Sequence, residues 1–270
     1  GFHAIRVMPV ARWSGVPLVV HFRGSDASSE SKFRRLEQRY RRLMQVASGF
    51  IVKSIPMRST LQSLGAPTDR VLISPSGADA ALFQGASPEM APPTFLAVGR
   101  FVPKKGPLLT LAAFERLQRQ LPESLASTCR LVMVGDGPML EEAKRLVHQQ
   151  SLTTQVRFAG VLSPAEIAAL MRQVRGFVQH SLVAPDGDSE GSPVAVMEAQ
   201  LSGLPVVATR HAGIPEVVMD GSTGILVEEG DGQAMANAMA QLVRNPQLAA
   251  RLGAAGHERM SLNFTVEHHL

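Results

Sequence analysis

The stretch SEGSPVAVMEAQLSGLPVV, Ser189–Val207, decides how the chain is read. Its centre, VAVMEAQLS, is a helix-forming run, and its end, LPVV, is a short β-branched run reached through Gly203 and Pro205. Just upstream lies GFVQHS, Gly176–Ser181, another strand-sized apolar segment. Strand, loop, helix and strand in that order make a βαβ unit, whose crossover forces parallel pairing. Ser192 followed by Pro193 suits an N-cap and the first helical position, so the spacing predicts a helix over Pro193–Ser202. Glu190 and Gly191 then fall in the loop before the helix, and Glu198 in its second turn.

Working outward, the alternation repeats. TFLAVGR, CRLVMVG, VRFAGV, GFVQHS, LPVVAT and GILVEE read as six strands, separated by predicted helices over 108–121, 139–149, 164–173, 193–202 and a short turn at 214–218, with a last helix over 232–243. Six strands alternating with helices specify a doubly wound α/β domain with a parallel sheet covered on both faces. Toward the N-terminus, VPLVVHF, GFIVKS and RVLISPSG supply three more strands. Three are too few for such a domain, so residues 1–85 read as the back part of a second one whose beginning is absent. The segment QGASPEMAPP has no periodicity and marks a linker, assigned to residues 86–93, ahead of a domain over 94–270.

Composition bounds the function classes. Of 270 residues, 45% are hydrophobic and 19% charged, which is globular, and no apolar run reaches bilayer length. The lone Cys129 cannot form an intrachain disulfide, which favours a reducing, cytoplasmic setting. Residues 1–85 carry 12 Lys/Arg against 5 Asp/Glu, and the remainder 15 against 18, so the first third is the basic one. Much of that excess lies in SKFRRLEQRYRRLM, where Phe33, Leu36, Tyr40 and Leu43 recur at helical spacing among Arg34, Arg35, Arg39, Arg41 and Arg42. A surface helix packing one stripe on its own sheet is the first expectation; the second is peripheral contact with anionic membrane on the inner face of the cell. Nucleic acid is disfavoured, because no interleaved aromatics and no reader motif accompany the arginines.

Doubly wound sheets bind ligands beyond the carboxyl ends of their strands, and the informative residues lie there. After the first strand of the second domain come Arg100 and Lys105, in GRFVPKKGP. Two cations suit a diphosphate, Arg forking onto two oxygens and Lys acting as a point charge. The second strand ends in the tight turn Gly135-Asp136-Gly137, and the third in Gly160 and Val161, whose backbone could meet a flat base. The fourth leads to Glu190, Gly191, Ser192 and Pro193. Exposed N–H groups at that helix start favour an anion, whereas Glu190 suits donor hydroxyls such as those of a sugar. A nucleoside diphosphate carrying a sugar would satisfy all these loops together.

These residues resemble the retaining glycosyltransferases of family 4, which have the GT-B fold of two Rossmann-like domains. SGADAALF, AVGRFVPKKGP, LVMVGDGPMLEEA, VRFAGVLSPAEIAALM and EGSPVAVMEAQLSGLPVVATRHAGIPEVVMDGSTGILV carry the resemblance, densest over residues 94–242. The opening PLVVHFRGSDAS is similar to members that build exopolysaccharides of the colanic acid type. The resemblance implies that Arg100 and Lys105 neutralise the departing diphosphate, that Glu190 contacts the donor sugar, and that Glu198 binds the ribose hydroxyls. It further implies that the Gly191-Ser192-Pro193 backbone meets sugar and phosphate, and that Gly160 and Val161 flank the base. It implies no metal and no cofactor beyond the nucleotide-sugar donor, a glycan or lipid-linked acceptor, and same-face attack with Glu190 positioning rather than attacking.

Two departures stand out. Family members carry a histidine where Arg23 stands in HFRGSD, so Arg23 is expected to contact a phosphate or an acidic sugar instead. Nothing corresponds to the family's first strand and glycine-rich loop, and FTVEHHL ends before the family's returning C-terminal helix, so donor binding with weak transfer is expected of this chain. The alternatives are another GT-B enzyme, such as an epimerase or phosphorylase, and a nucleotide-sugar binding protein without catalysis.

Overall fold

The computed structural model describes residues 1–24, 26 and 30–269; the side chains of residues 30–34 and 269 are outside that description. In chain order the main elements are α1 (Phe2–Ser14), β1 (Val19–His21), α2 (Glu30–Val46), β2 (Gly49–Val52), α3 (Ile55–Ser63), β3 (Val71–Ile73), β4 (Thr94–Val98), α4 (Pro107–Gln120), β5 (Arg130–Val134), α5 (Leu140–Gln149), β6 (Val156–Gly160), α6 (Pro164–Met171), β7 (Gly176–Gln179), α7 (Val194–Ser202), β8 (Val206–Thr209), α8 (Ile214–Val217), β9 (Gly224–Val227), α9 (Gly232–Arg244) and α10 (Pro246–Asn263). Each of the nine strands expected from sequence is present, shorter by a residue or more at its ends.

The strands form two parallel sheets, one ordered β1-β2-β3 and the other β6-β5-β4-β7-β8-β9. In the second sheet β4 pairs with both β5 and β7, so the winding direction reverses between β4 and β7. Its strands are apolar on both faces because both faces are covered. Phe95, Leu131, Met133, Val178 and Val207 face one side, packing on Phe114, Leu117, Met235 and Met239 of α4 and α9. Leu96, Val132, Val134, Phe177 and Val206 face the other, on Val196, Met197 and Leu201 of α7 and Met260 of α10. Burying each such large apolar side chain contributes about 1.5–3 kcal/mol, so the sheet is held rigidly beneath its loops.

The first sheet packs Val20, Phe50 and Val52 against Tyr40, Leu43 and Met44 of α2 and Leu61 of α3. The apolar stripe of the basic helix is therefore core where it is described: Tyr40 and Leu43 are fully buried, while Phe33 and Arg34 lie outside the described side chains. Arg41 pairs with Glu37 one turn earlier.

Two features differ from expectation. α7 begins at Val194, with Pro193 at the N-cap and no side-chain cap. The Ser192 hydroxyl is engaged elsewhere: it accepts from the Ser76 amide at 3.1 Å and reaches Met197 Sδ at 3.8 Å. α1 and α10 were not anticipated. α1 carries Pro9 inside it, and α10 starts on Pro246 with the Asn245 side chain accepting from the Leu248 amide. After α10 the chain returns to the junction between the sheets. There the Ala78 amide donates to Phe264 O at 3.0 Å and the Val266 amide to Ala78 O at 3.1 Å.

Candidate functional site

Crevices in doubly wound sheets open where the strand order reverses, here between β4 and β7. The loop after β4 makes a short helical turn over Pro103–Lys105 and then takes a left-handed step at Gly106, φ 51°. A Cβ at Gly106 would collide with the His180 carbonyl just after β7, so only glycine lets these two loops touch. That contact aims two adjacent lysines at the loop preceding α7. Lys104 Nζ lies 3.1 Å from Asp188 and donates to Ser189 O at 3.1 Å. Lys105 lays its stem on Gly99 and brings Nζ to 3.1 Å from Glu190 Oε1.

Glu190 is only 6% exposed. Although Lys105 stands at ion-pair distance, its ammonium is not aligned for a hydrogen bond, and Oε1 has no hydrogen-bond donor among the described residues. A buried carboxylate oxygen with an open lone pair is a ready acceptor for a hydroxyl. The Glu190 backbone is held in its turn. Its amide donates to His211 Nε2 at 3.1 Å, which places the His211 proton on Nδ1, 2.6 Å from Glu229 Oε1. Glu229 Oε2 accepts from the Val183 amide at 3.0 Å, so the ends of β8 and β9 together brace the loop after β7. Beside it His180 is fully buried, accepts from the Gly230 amide at 2.9 Å, and is pushed down to about 4 by desolvation, so it is neutral.

Glu198 lies on the second turn of α7, half-buried, and burial alone pushes its carboxyl up to about 7. Gly191 is fitted against the other domain. A Cβ there would lie 2.6 Å from Met57 Cε and 2.8 Å from Arg23 O. The absent side chain therefore lets the first domain close on this turn. Arg100 is exposed and lines, with Arg23, Gly24, Lys104 and Asp188, an interdomain cleft of about 680 Å³. Gly160, at φ 69°, and Val161, 76% exposed, stand at the end of β6, two strands from the crevice.

The structure thus pairs Lys105 with Glu190, sets Gly191 against Met57 and Arg23 and Ser192 against Ser76, and puts Arg23 and Arg100 on the walls of one cleft. Gly160 and Val161 stay apart on the rim. Among the described residues no three His, Cys, Asp or Glu side chains gather as metal ligands.

Residues 80–259 match the family model described as glycosyl transferases group 1. The chain belongs to the group 1 glycosyltransferases. Among its relatives in this family is a protein described as a colanic acid biosynthesis glycosyltransferase, WcaL, of Salmonella typhimurium, 32% identical over 83% of this chain and 54% of WcaL. A GDP-mannose-dependent alpha-(1-6)-phosphatidylinositol monomannoside mannosyltransferase of Mycolicibacterium smegmatis is 33% identical over 61% of this chain and 42% of its own length. The chain spans about half the length of these curated relatives. Among solved structures, Anabaena Alr3699/HepE in complex with UDP and glucose superposes with a TM-score of 0.80 at 21% identity, covering 98% of this chain and 72% of that one. This group 1 glycosyltransferase chain has the GT-B fold.

Sequence reasoning missed Lys104, Asp188, His180, His211 and Glu229. Lys104 and Asp188 are 84 residues apart, and a lone histidine at a strand end carries no spacing signal. One clue was available: these residues also follow strands, and the ends of β7, β8 and β9 are neighbours in the sheet.

Proposed function

We propose that the chain carries the donor site of a retaining glycosyltransferase, which moves a sugar from a nucleoside diphosphate sugar to a glycan or lipid-linked acceptor of a cell-surface polysaccharide. The observation that carries this is the Lys105–Glu190 pair, buried at the reversal of strand order with a carboxylate oxygen still open. A diphosphate entering beside Arg100 draws on the Lys105 charge, and the Glu190 carboxylate then accepts from a sugar hydroxyl. Such fixed charges stabilise the leaving diphosphate without reorganisation, so this mechanism requires no metal. A carboxylate already facing an ammonium is a poor free nucleophile, which supports a positioning role for Glu190 and same-face attack, with the departing phosphate taking the acceptor proton. Glu198 receives the ribose hydroxyls, and Gly160 and Val161 flank the base.

WcaL supports polysaccharide synthesis as the setting, and the bound UDP of HepE supports a nucleotide donor. Peripheral contact with anionic membrane is part of the proposal. Arg6 on α1 and Arg35, Arg39 and Arg42 on α2 line openings at one side of the first domain, and liposome sedimentation at low and high salt tests that contact. The central test is calorimetric titration with UDP-glucose and GDP-mannose, with and without EDTA, followed by proton NMR of any product. Binding that survives EDTA and a product of unchanged anomeric configuration are expected. An inverted product, or a strict metal requirement, overturns the mechanism. Because the chain spans about half of its relatives, binding without turnover would favour the second reading, a donor-binding unit that transfers only when completed.

A further inference from the structure

One residue grips both feet of the loop that leads to Glu190. The Lys104 carbonyl accepts from the Leu182 amide at 3.0 Å, just past the end of β7. The Lys104 ammonium donates to Asp188 Oδ1 at 3.2 Å and to Ser189 O at 3.1 Å, on the two residues before Glu190. Between these feet the chain bonds to itself. The Ala184 amide donates to Asp188 O at 2.9 Å, the Gly187 amide to Ala184 O at 2.8 Å, and the Asp188 amide to Asp186 Oδ1 at 3.1 Å. Residues 182–189 therefore form a compact arch, which Lys104 clasps from the neighbouring loop. The clasp is shielded, the Lys104 and Asp188 side chains being 12% and 21% exposed, and a charge-assisted hydrogen bond away from water is stronger than one in it.

The adjacent lysine is held differently. Lys105 stands 3.1 Å from Glu190 Oε1 without an aligned hydrogen bond, so an entering diphosphate can draw on its charge without breaking one. Drawing Lys104 away would break two formed bonds and take this donor from the Ser189 carbonyl. Neighbouring cations on one loop thus divide, Lys105 able to turn to the substrate and Lys104 fixed to the protein. The arch ends one peptide before Glu190, so a shift of Ser189 shifts the carboxylate. A misplacement of about 1 Å in such a group can cost about 100-fold. We propose that Lys104 is a positioning residue for the donor sugar: through Asp188 and the Ser189 carbonyl it fixes the Glu190 carboxylate, and it does not bind the diphosphate. The proposal rests on the donor-site reading above.

Calorimetric titration with UDP against UDP-glucose, and with GDP against GDP-mannose, separates positioning from phosphate binding. For the pair that the wild type binds, Lys104→Met and Asp188→Ala are each expected to weaken the sugar nucleotide at least tenfold, about the effect of one charge-assisted hydrogen bond. Affinity for the free diphosphate should change less than twofold. Lys104→Arg keeps the charge and presents several donors, so it should restore the wild-type ratio of the two affinities. A loss of packing alone would not single out the sugar, nor would it be rescued by arginine. Asp188→Ala reports even if Lys104→Met proves poorly folded in a thermal melt. Equal losses for diphosphate and sugar nucleotide would make Lys104 a diphosphate ligand and overturn the proposal while the donor-site reading stands. Sugar-nucleotide affinity unchanged in both variants overturns it as well. A wild-type protein that binds no nucleotide defeats the donor-site reading and this proposal with it.

Discussion

Glu198 offers the most exacting test of the site. Desolvation pushes its carboxyl from an ordinary 4.5 up to about 7, and among the described residues no favourable partner opposes the shift. At about 1.4 kcal/mol per pH unit, the ionised form costs the folded protein about 3 kcal/mol at most. Because the folded-state value is the raised one, the stability tied to this group is fully present below pH 4.5 and is lost as the pH rises to 7. Glu198→Gln removes that slope. The two proteins should be equally stable near pH 4, with the variant ahead by about 3 kcal/mol at pH 8. His180 contributes the opposite trend, its folded value being lowered from 6.5 to about 4, so its share is present above pH 6.5 and lost on acidification. Both proteins carry it, and it cancels in their difference. Urea denaturation across this range supplies the measurement. Ligand binding supplies the functional half: ribose hydroxyls donate best to the ionised carboxylate. Affinity for UDP-glucose or GDP-mannose should therefore fall about tenfold per pH unit below 7 in the wild type, and stay weak and flat in the variant. A variant less stable at pH 8, or a wild-type affinity flat from pH 5.5 to 8, would refute the assignment.

Lys105→Met strands a carboxylate that is 6% exposed, which should cost about 2–4 kcal/mol; Lys105→Met/Glu190→Gln should recover most of it in denaturant titrations, and equal losses in both would contradict the pairing. Gly191→Ala should cost about 1–3 kcal/mol by driving a methyl into Met57 and the Arg23 carbonyl, with a matching drop in melting temperature; an unchanged melt would show that the domains do not close on this turn. His211→Ala leaves the Glu190 amide and the Glu229 carboxylate without their shared partner, and about 1–3 kcal/mol should be lost together with donor affinity. Cys129 is fully buried and its thiol is pushed up to about 12 by burial, so thiol reagents should label it only after denaturation.

The second domain was legible in sequence because its inner strands, such as β5, β7 and β8, are buried on both faces and therefore read as compact apolar runs. Phe95 and Leu96 serve opposite cores, yet both had to be apolar. The loop positions of Arg100, Lys105 and Glu190 follow from the general rule about strand ends, so their neighbourhood could be anticipated before their contacts. Their contacts could not. Ser192 looks like a helix cap to its near neighbours, but its hydroxyl is taken by Ser76, 116 residues away. Gly191 reads locally as a loop glycine before a helix, but what requires it is the Met57 side chain and the Arg23–Gly24 backbone packed against it. α1 escaped notice because its apolar residues fall in no single stripe and Pro9 interrupts it. For Ser192 and Gly191 a long-range partner, which no local pattern encodes, outweighed the local preference.

The hydrogen bonds joining Ala78 to Phe264 and Val266 tie the second domain's entrance to its exit. Topologically the domain is a loop drawn shut at its neck, with Gly77 so close to Thr265 that no side chain fits between them. The chain thus comes back beside its own point of entry, and both ends of the second domain are pinned at one place.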